Sequence, residues 1–405
     1  MIYSTFLRAG ALLLAGVLSL PAQAQNRPAE TRPANAPDQQ PQSPDQTRAP
    51  QPATMPQIKQ EVIATDLPQL WSLEFLPDGR MLVTVKEGAM RIIDRDGKAG
   101  PDIAGVPEVY VSGQGGLLDV ALAPDFATSS RIFFSYSEPR EGGNGTTVAS
   151  ARLVLNDDGG GNLEDIKVIF RQSPTYDGTQ HFGSRLVFGP LGELFVTVGE
   201  RSNAAVRVQA QDISSGLGKV FRIDQSGAPL PDNPFVKQEG ALPEIWSLGH
   251  RNMQSAALDG QGRLWTVEHG PRGGDELNRP EAGMNYGWPE VTYGIDYSGA
   301  PIGKGITASA ETQQPVYYWD PVIAPSGMAF YDGTEFPEWR GAFLIGGLVA
   351  QGLVVVHLKN DRVVFEERVP LGARVRDVKV GPDGAVYVVT ESRSGPSQIL
   401  RLTRA

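Results

Sequence analysis

The sequence predicts an all-β chain folded as a six-bladed β-propeller of four-stranded antiparallel blades. Three observations carry that expectation. One hairpin signature recurs six times from residue 58 onward. Glycine (47) and proline (32) are abundant, while charged residues make up only 20% of the chain. No long stretch sets apolar residues at helical spacing, which argues against strands alternating with helices around a parallel sheet. Radial repetition of four-stranded sheets accounts for such copies. An all-β sandwich, the competing architecture, rarely repeats one hairpin so often.

The signature is an apolar strand, a PDG-like turn and a second β-rich strand. Asp and Gly accept the backbone angles that a tight hairpin demands. The copies are SLEFLPDGRMLVTV from Ser72, LLDVALAPDFATSSRIFFSYS from Leu117, RLVFGPLGELFVTVGE from Arg185, SAALDGQGRLWTVEHG from Ser255, GMAFYDGTEFPEWRGAFLIGG from Gly327 and DVKVGPDGAVYVVTES from Asp377. They lie roughly 45 to 70 residues apart. Further short strands of alternating type follow several of them: MRIID at Met90, KVFRID at Lys219, VVVHL at Val354 and ILRLT at Ile399.

Residues 1–24 read as a signal peptide. Arg8 precedes the short apolar run GALLLAGVLSLP, and Ala22 and Ala24 are the small residues that signal peptidase reads, with cleavage expected before Gln25. The run is too short for a comfortable membrane span, so an uncleaved anchor is the lesser alternative. Residues 25–57 are rich in Pro, Gln and Ala, with almost no large apolar side chains. Such a segment buries too little surface to offset its ordering entropy and is expected to be a disordered tether. The propeller domain then spans 58–405, with no membrane span in the mature chain.

Composition narrows the function. A net charge of −10 argues against a nucleic-acid partner, which needs a basic face. The absence of cysteine excludes disulfides, Cys-ligated zinc, iron–sulfur clusters, thiol catalysis and a lipoprotein anchor. A metal here must take oxygen or imidazole ligands, which favours Ca²⁺ or Mg²⁺.

Four stretches stand out against the repeat: GQGGLLD (Gly113 to Asp119), DGTQHFGSRL (Asp177 to Leu186), LGHRNMQS (Leu248 to Ser255), and EHGPRGGDELN (Glu268 to Asn278) running on to GMNYGWP. Loops that precede the first strand of a repeat gather at one end of a propeller, the expected active site. His181 follows a polar loop and precedes glycine and serine, where an imidazole can take a hydroxyl proton near neutral pH; a structural loop histidine is the other reading. Arg251 and Asn252 suit recognition of a carboxylate or carbonyl oxygen, or else a stabilising ion pair. The carbonyls around Gly270 and Pro271, with Asp275 and Glu276, make an oxygen-rich, glycine-bent loop suited to Ca²⁺, or a solvated acidic turn. Arg374 and Arg376 alternate along a strand start and point to one side, as if for a polyanion, although surface charge also explains such pairs.

In combination LGHRN, the HGPRGGDELN–NYGWP run and RVRDV resemble the soluble PQQ-dependent aldose dehydrogenases, the glucose/sorbosone dehydrogenase family, over roughly residues 58–403. The resemblance implies a six-bladed periplasmic enzyme that oxidises aldoses at the anomeric carbon to lactones, using pyrroloquinoline quinone (PQQ) and Ca²⁺. It implies that His181 is the catalytic base and that Gln114 contacts substrate. Arg251 and Asn252 fall where the family meets the quinone and a cofactor carboxylate, and Arg374 and Arg376 where it binds cofactor carboxylates. Gly270 and Pro271 match positions whose carbonyls hold Ca²⁺, and Asp275 and Glu276 fit a second, structural Ca²⁺ site. Trp319, before DPVIAPSG, matches an aromatic at the substrate mouth. The external electron acceptor is not identified by these motifs.

Two departures separate the chain from the glucose-specific branch and set it with the broader aldose dehydrogenases. That branch has a lysine over the cofactor where this chain reads GGLVAQG, and a glutamine where GER places Arg201. Arg201 is therefore expected to supply the missing positive charge to the cofactor. Two rival readings remain at the level of sequence: a Ca²⁺-dependent lactonase on a propeller, and a non-catalytic binding propeller.

Overall fold

The structure is a computed structural model that describes residues 27–392 and 395–405. The expected signal peptide lies outside the described residues.

Each hairpin signature becomes the first two strands of a four-stranded antiparallel meander. After β1 (Ile58–Leu67), the first comprises β2 (Leu70–Phe75), β3 (Met81–Val85), β4 (Ala89–Ile93) and β5 (Ala99–Ala104). The second comprises β6 (Leu117–Leu122), β7 (Arg131–Arg140), β8 (Gly143–Leu155) and β9 (Gly161–Arg171). A short parallel contact of Ile103 and Ala104 with Gly161 and Asn162 joins these two into one eight-stranded sheet. The third is β10 (Leu186–Phe188), β11 (Leu194–Val198), β12 (Lys219–Ile223) and β13 (Ile245–Leu248). The fourth is β14 (Met253–Leu258), β15 (Leu264–Glu268), β16 (Asp275–Asn278) and β17 (Tyr317–Trp319), and the fifth β18 (Pro325–Phe330), β19 (Ala342–Gly347), β20 (Gly352–Lys359) and β21 (Arg362–Pro370). Finally β22 (Arg374–Val380), β23 (Val386–Glu391) and β24 (Ser397–Arg404) take β1 as their fourth strand, so the start of the sheet-forming chain seals its end. The only α-helix among the described residues is the four-residue turn Phe126–Ser129. The fold is all-β, and its sheets fit a β-propeller.

Second strands such as MLVTV in β3 and LFVTV in β11 are buried at every position, because each sheet packs on a neighbour through both faces. Hydroxyls in these strands staple one sheet to the next. Thr84, Ser135 and Thr197 each accept an N–H from the first strand of their own unit or the residue that enters it, from Ser72, Asp119 and Arg185 (3.0, 3.0 and 2.9 Å). The same hydroxyls donate onward to the carbonyls of Leu118, Ser184 and Met253 in the following unit (2.6, 2.7 and 2.9 Å). A buried hydroxyl so used is fully satisfied, and each such bond contributes about 1 kcal/mol. Innermost, Arg185 bridges Asp119 and Asp377 (2.9 and 3.1 Å). Asp377 in turn accepts Leu73 N (2.9 Å), tying the last sheet to the first. First strands from distant parts of the chain therefore converge, and so do the loops that lead into them.

The segment expected to be a disordered tether is instead docked from Arg27 onward. Ala36 and Ala49 are buried, Ala49 N donates to Tyr317 Oη (2.7 Å), and Tyr318 N donates to Gln46 O (2.8 Å). Glu366 N donates to Pro50 O (3.0 Å). The segment lacks large apolar side chains, as its composition says, but its backbone groups are satisfied by the outer strand β17 and its surroundings, covering an otherwise open sheet edge. Among the described residues no helix is long and apolar enough to cross a membrane.

Candidate active site

His181 lies in the loop between β9 and β10 with φ of +52°, in the left-handed region that costs a side chain free energy unless its surroundings hold it there. Three neighbours do so. His181 N donates to Gln114 Oε1 (2.9 Å), and Nδ1 lies 2.6 Å from Glu200 Oε1. The third is Arg201, which is 2% exposed and spends its guanidinium on the same loop: Nε donates to Gln180 O (3.0 Å), and Nη2 to Gly178 O (2.6 Å) and Asn144 Oδ1 (2.7 Å). Its carbon lies 4.1 Å from the Phe182 ring centroid. The guanidinium that GER was expected to offer to the cofactor is committed, in this structure, to loop oxygens of Gly178, Gln180 and Asn144.

Glu200 accepts Ser202 N through Oε2 (2.8 Å) and so acts as a fixed acceptor for the imidazole. With Nδ1–H given to Glu200, Nε2 keeps its lone pair. Burial lowers the His181 pKa, the Arg251 charge lowers it further, and Glu200 pulls it partly back. That direction favours the neutral ring, the form able to accept a proton.

The LGHRN motif is a knot. His250 is sandwiched between Glu268 (Nδ1, 2.9 Å) and Ser247 (Nε2, 2.8 Å) and stacks on Tyr286, a structural use of the imidazole. Arg251 sends Nη1 to the carbonyls of His269 (3.0 Å) and Gly270 (2.8 Å) and lies 5.2 Å from the Trp288 ring centroid, which accounts for the aromatics of NYGWP. Asn252 Oδ1 accepts Gly183 N (3.0 Å), two residues beyond His181. Glu200 N donates to Arg251 O (2.9 Å). His269, half-buried with its Nε2 out of solvent, has its pKa driven well down by desolvation and by the charges of Arg251 and Arg376. His181, Arg251, His269, Gly270 and Arg376 therefore share one electrostatic neighbourhood.

Arg374 and Arg376 both clasp Glu391, Arg374 at 3.1 Å and Arg376 more closely, and Arg376 Nη1 also donates to Gln254 Oε1 (2.8 Å). Burial raises the Glu391 carboxyl, but the two arginines outweigh it and hold the group below its usual range. Lys86 donates to Gly113 O (2.5 Å), beside Gln114, and feels the Arg376 charge. A cation does stand near these arginines, then, although GGLVAQG supplies none.

Asp275 and Trp319 occupy other positions than those expected. Asp275 accepts Gly270 N on Oδ1 (2.7 Å) and Ile323 N and Ala324 N on Oδ2 (2.8 Å each), so both oxygens serve backbone amides rather than standing free for a metal. Burial pushes its pKa up to about 7. Glu276 makes only a long bond with Asn278 (3.3 Å), and burial together with Glu268 pushes its carboxyl well above the usual range. Of the two carboxylates, Glu276 is the one that backbone amides leave unclaimed. Trp319 is 2% exposed, with Nε1 on Glu366 (3.1 Å) and its ring against Tyr317. Residues two apart on a strand share a face, and β17 turns both rings into the core rather than to a substrate mouth.

Sequence reasoning missed Glu200, His269, Gln254, Glu391 and Lys86. Glu200 stands beside Arg201 in GER, where a carboxylate at a strand end before a left-handed turn was the available signal. Against this frame four buried nitrogens have no partner: Arg251 Nε, Asn252 Nδ2, His269 Nε2 and Arg374 Nε. An unpartnered buried polar atom costs about 1–3 kcal/mol, and several on converging loops mark a place built for an acceptor-rich ligand.

A sequence profile of the Glucose / Sorbosone dehydrogenase family matches residues 67–401. The chain is 44% identical over 345 residues to the aldose sugar dehydrogenase YliI of Escherichia coli (strain K12), covering 84% of this chain and 91% of that protein. It is similar to the crystal structure of the soluble aldose sugar dehydrogenase from Escherichia coli in the apo-form, with TM-score 0.81 and 42% identity over 86% of this chain and 100% of the other. It also resembles the PQQ-bound aldose sugar dehydrogenase from Streptomyces coelicolor, with TM-score 0.70 and 28% identity over 87% of this chain and 99% of the other. With the profile spanning most of its length, the chain belongs to the glucose/sorbosone dehydrogenase family.

Proposed function

We propose that this protein is an exported, six-bladed PQQ-dependent dehydrogenase that oxidises aldose sugars at the anomeric carbon to lactones. The observation that carries the reading is the set of unpartnered nitrogens on Arg251, Asn252 and His269, beside the His181–Glu200 pair, and on Arg374 at the start of β22. A planar tricarboxylate with quinone oxygens offers the acceptors those nitrogens lack. When bound, PQQ supplies the electrophilic quinone that takes up the hydride. Arg251, Asn252, Arg374 and Arg376 would hold it. The carbonyl of Pro271, and that of Gly270 through the lone pair that Arg251 leaves open, would contribute to a Ca²⁺ site whose further ligands must come from cofactor and water, because Ca²⁺ takes about 6–8 oxygens.

The protein's own part is proton handling and positioning. His181 Nε2 takes the anomeric hydroxyl proton, while Glu200 holds Nδ1–H and stabilises the imidazolium that results. Gln114, whose oxygen is committed to His181 N, has Nε2 left for a sugar hydroxyl. Oxidation removes one hydride and one proton from the sugar, so an external acceptor must later collect two electrons. The test is to add PQQ and Ca²⁺ to the mature chain and follow dye reduction and lactone formation across a panel of aldoses. Acid release from lactones without PQQ would favour a lactonase. Failure to bind PQQ, alongside a tight protein partner, would favour a binding propeller.

A further inference from the structure

The docked N-terminal segment lies outside the matched family region, which begins at residue 67. It is bonded to a loop that reaches the site. Asn35 N and Ala36 N donate to the two carboxylate oxygens of buried Asp320 (2.5 and 2.9 Å), and Val322 N donates to Asn35 Oδ1 (3.3 Å). Arg48 binds the carbonyls of Glu30 (3.2 Å), Arg32 (2.8 Å) and Asp320 (2.7 Å), closing the segment on itself and onto the loop.

From Asp320 the loop runs inward. Beyond Val322, the amides Ile323 N and Ala324 N are the ones that Asp275 holds together with Gly270 N, and Gly270 O receives Arg251. On the other side Leu348 N donates to Ala324 O (2.9 Å), and Leu348 O receives Arg374 Nη1 (3.3 Å). Ala324 sits at φ of +52°, a conformation a free loop would leave. One short loop thus fixes two of the arginines with unpartnered nitrogens, and the N-terminal segment fastens that loop from outside.

We propose that residues 30–48 are a positioning strap for the site: by gripping Asp320 they hold the 320–324 loop, and through it Gly270 and Arg374, in ligand-ready geometry. The proposal rests on the PQQ reading only for the choice of ligand. The test uses the full mature chain and the variant Arg48→Ala, which removes three strap bonds and touches no site residue, with Arg48→Lys as partial rescue. Amide hydrogen exchange at Ile323 and Ala324, measured without cofactor, is expected to accelerate about tenfold or more, while Leu73 and Leu186 stay protected. Dissociation constants for PQQ are expected to rise in step, with Arg48→Lys between the two. Unchanged exchange at Ile323 and Ala324, or equal acceleration at Leu73 and Leu186, would overturn the strap. If the wild-type chain binds no PQQ, the proposed function fails while the exchange arm still decides this inference.

Discussion

His181 Nδ1 and Glu200 Oε1 stand 2.6 Å apart, both buried, across a turn where His181 adopts a left-handed backbone. That contact fixes which imidazole nitrogen carries hydrogen and leaves the other free to take a proton. The site's chemistry, as proposed, depends on this orientation more than on any single pKa.

Replacing His181 with glutamine removes the base. Turnover is expected to fall by ~10²–10⁴, the usual contribution of a positioned general base, with PQQ affinity little changed. Steady-state dye reduction and a PQQ titration on the same preparation check both halves.

Because burial and Arg251 depress the His181 pKa, the base stays deprotonated further into acid than an ordinary histidine. Activity should hold through about pH 6.5 and decline only below it, as the imidazole is protonated. Glu200→Gln removes the charge that pulls the pKa up. The acid limb should then shift to still lower pH while the plateau rate drops by roughly tenfold or more. A limb moving upward would mean that Glu200 does not act through His181.

Arg201 separates two roles. As a clamp on the Asn144, Gly178 and Gln180 oxygens, its loss in Arg201→Gln should lower kcat by letting the His181 loop relax, and leave the dissociation constant for PQQ within a few-fold of wild type. A cofactor ligand would show the reverse pattern, and ligand titration beside kinetics tells them apart.

Two variants test the packing. Arg185→Met strands Asp119 and Asp377 as unpaired buried carboxylates and should cost about 3–5 kcal/mol in a denaturant melt. Trp319→Phe removes the bond to Glu366 and should cost about 1–2 kcal/mol without moving the sugar KM, since the ring lies in the core.

The sheets were legible because a strand's period of two and its turn residues are local properties, repeated in six places from Ser72 to Asp377. His181 and Arg251 lie on loops that lead into first strands, a placement that the order of the repeats along the chain makes readable. What stayed hidden was allocation. Arg201 and Arg251 look alike in sequence, yet one meets loop carbonyls on every side while the other keeps a nitrogen free. Asp275 reads as a metal ligand until three backbone amides are found on it. Trp319 precedes a conspicuous loop, but pleating turns it inward with Tyr317. The strap escaped notice for a related reason: its binding groups are backbone amides and carbonyls, which composition cannot register.

The most direct measurement is a single turnover on bound cofactor. The mature chain is loaded with PQQ and Ca²⁺, an aldose is added, and the quinone absorption is followed in wild type and His181→Gln. The account predicts rapid reduction in the wild type and a variant that binds PQQ equally well yet reduces it at least a hundredfold more slowly. Reduction at the same rate in both, or a wild-type chain that binds no PQQ, would contradict it.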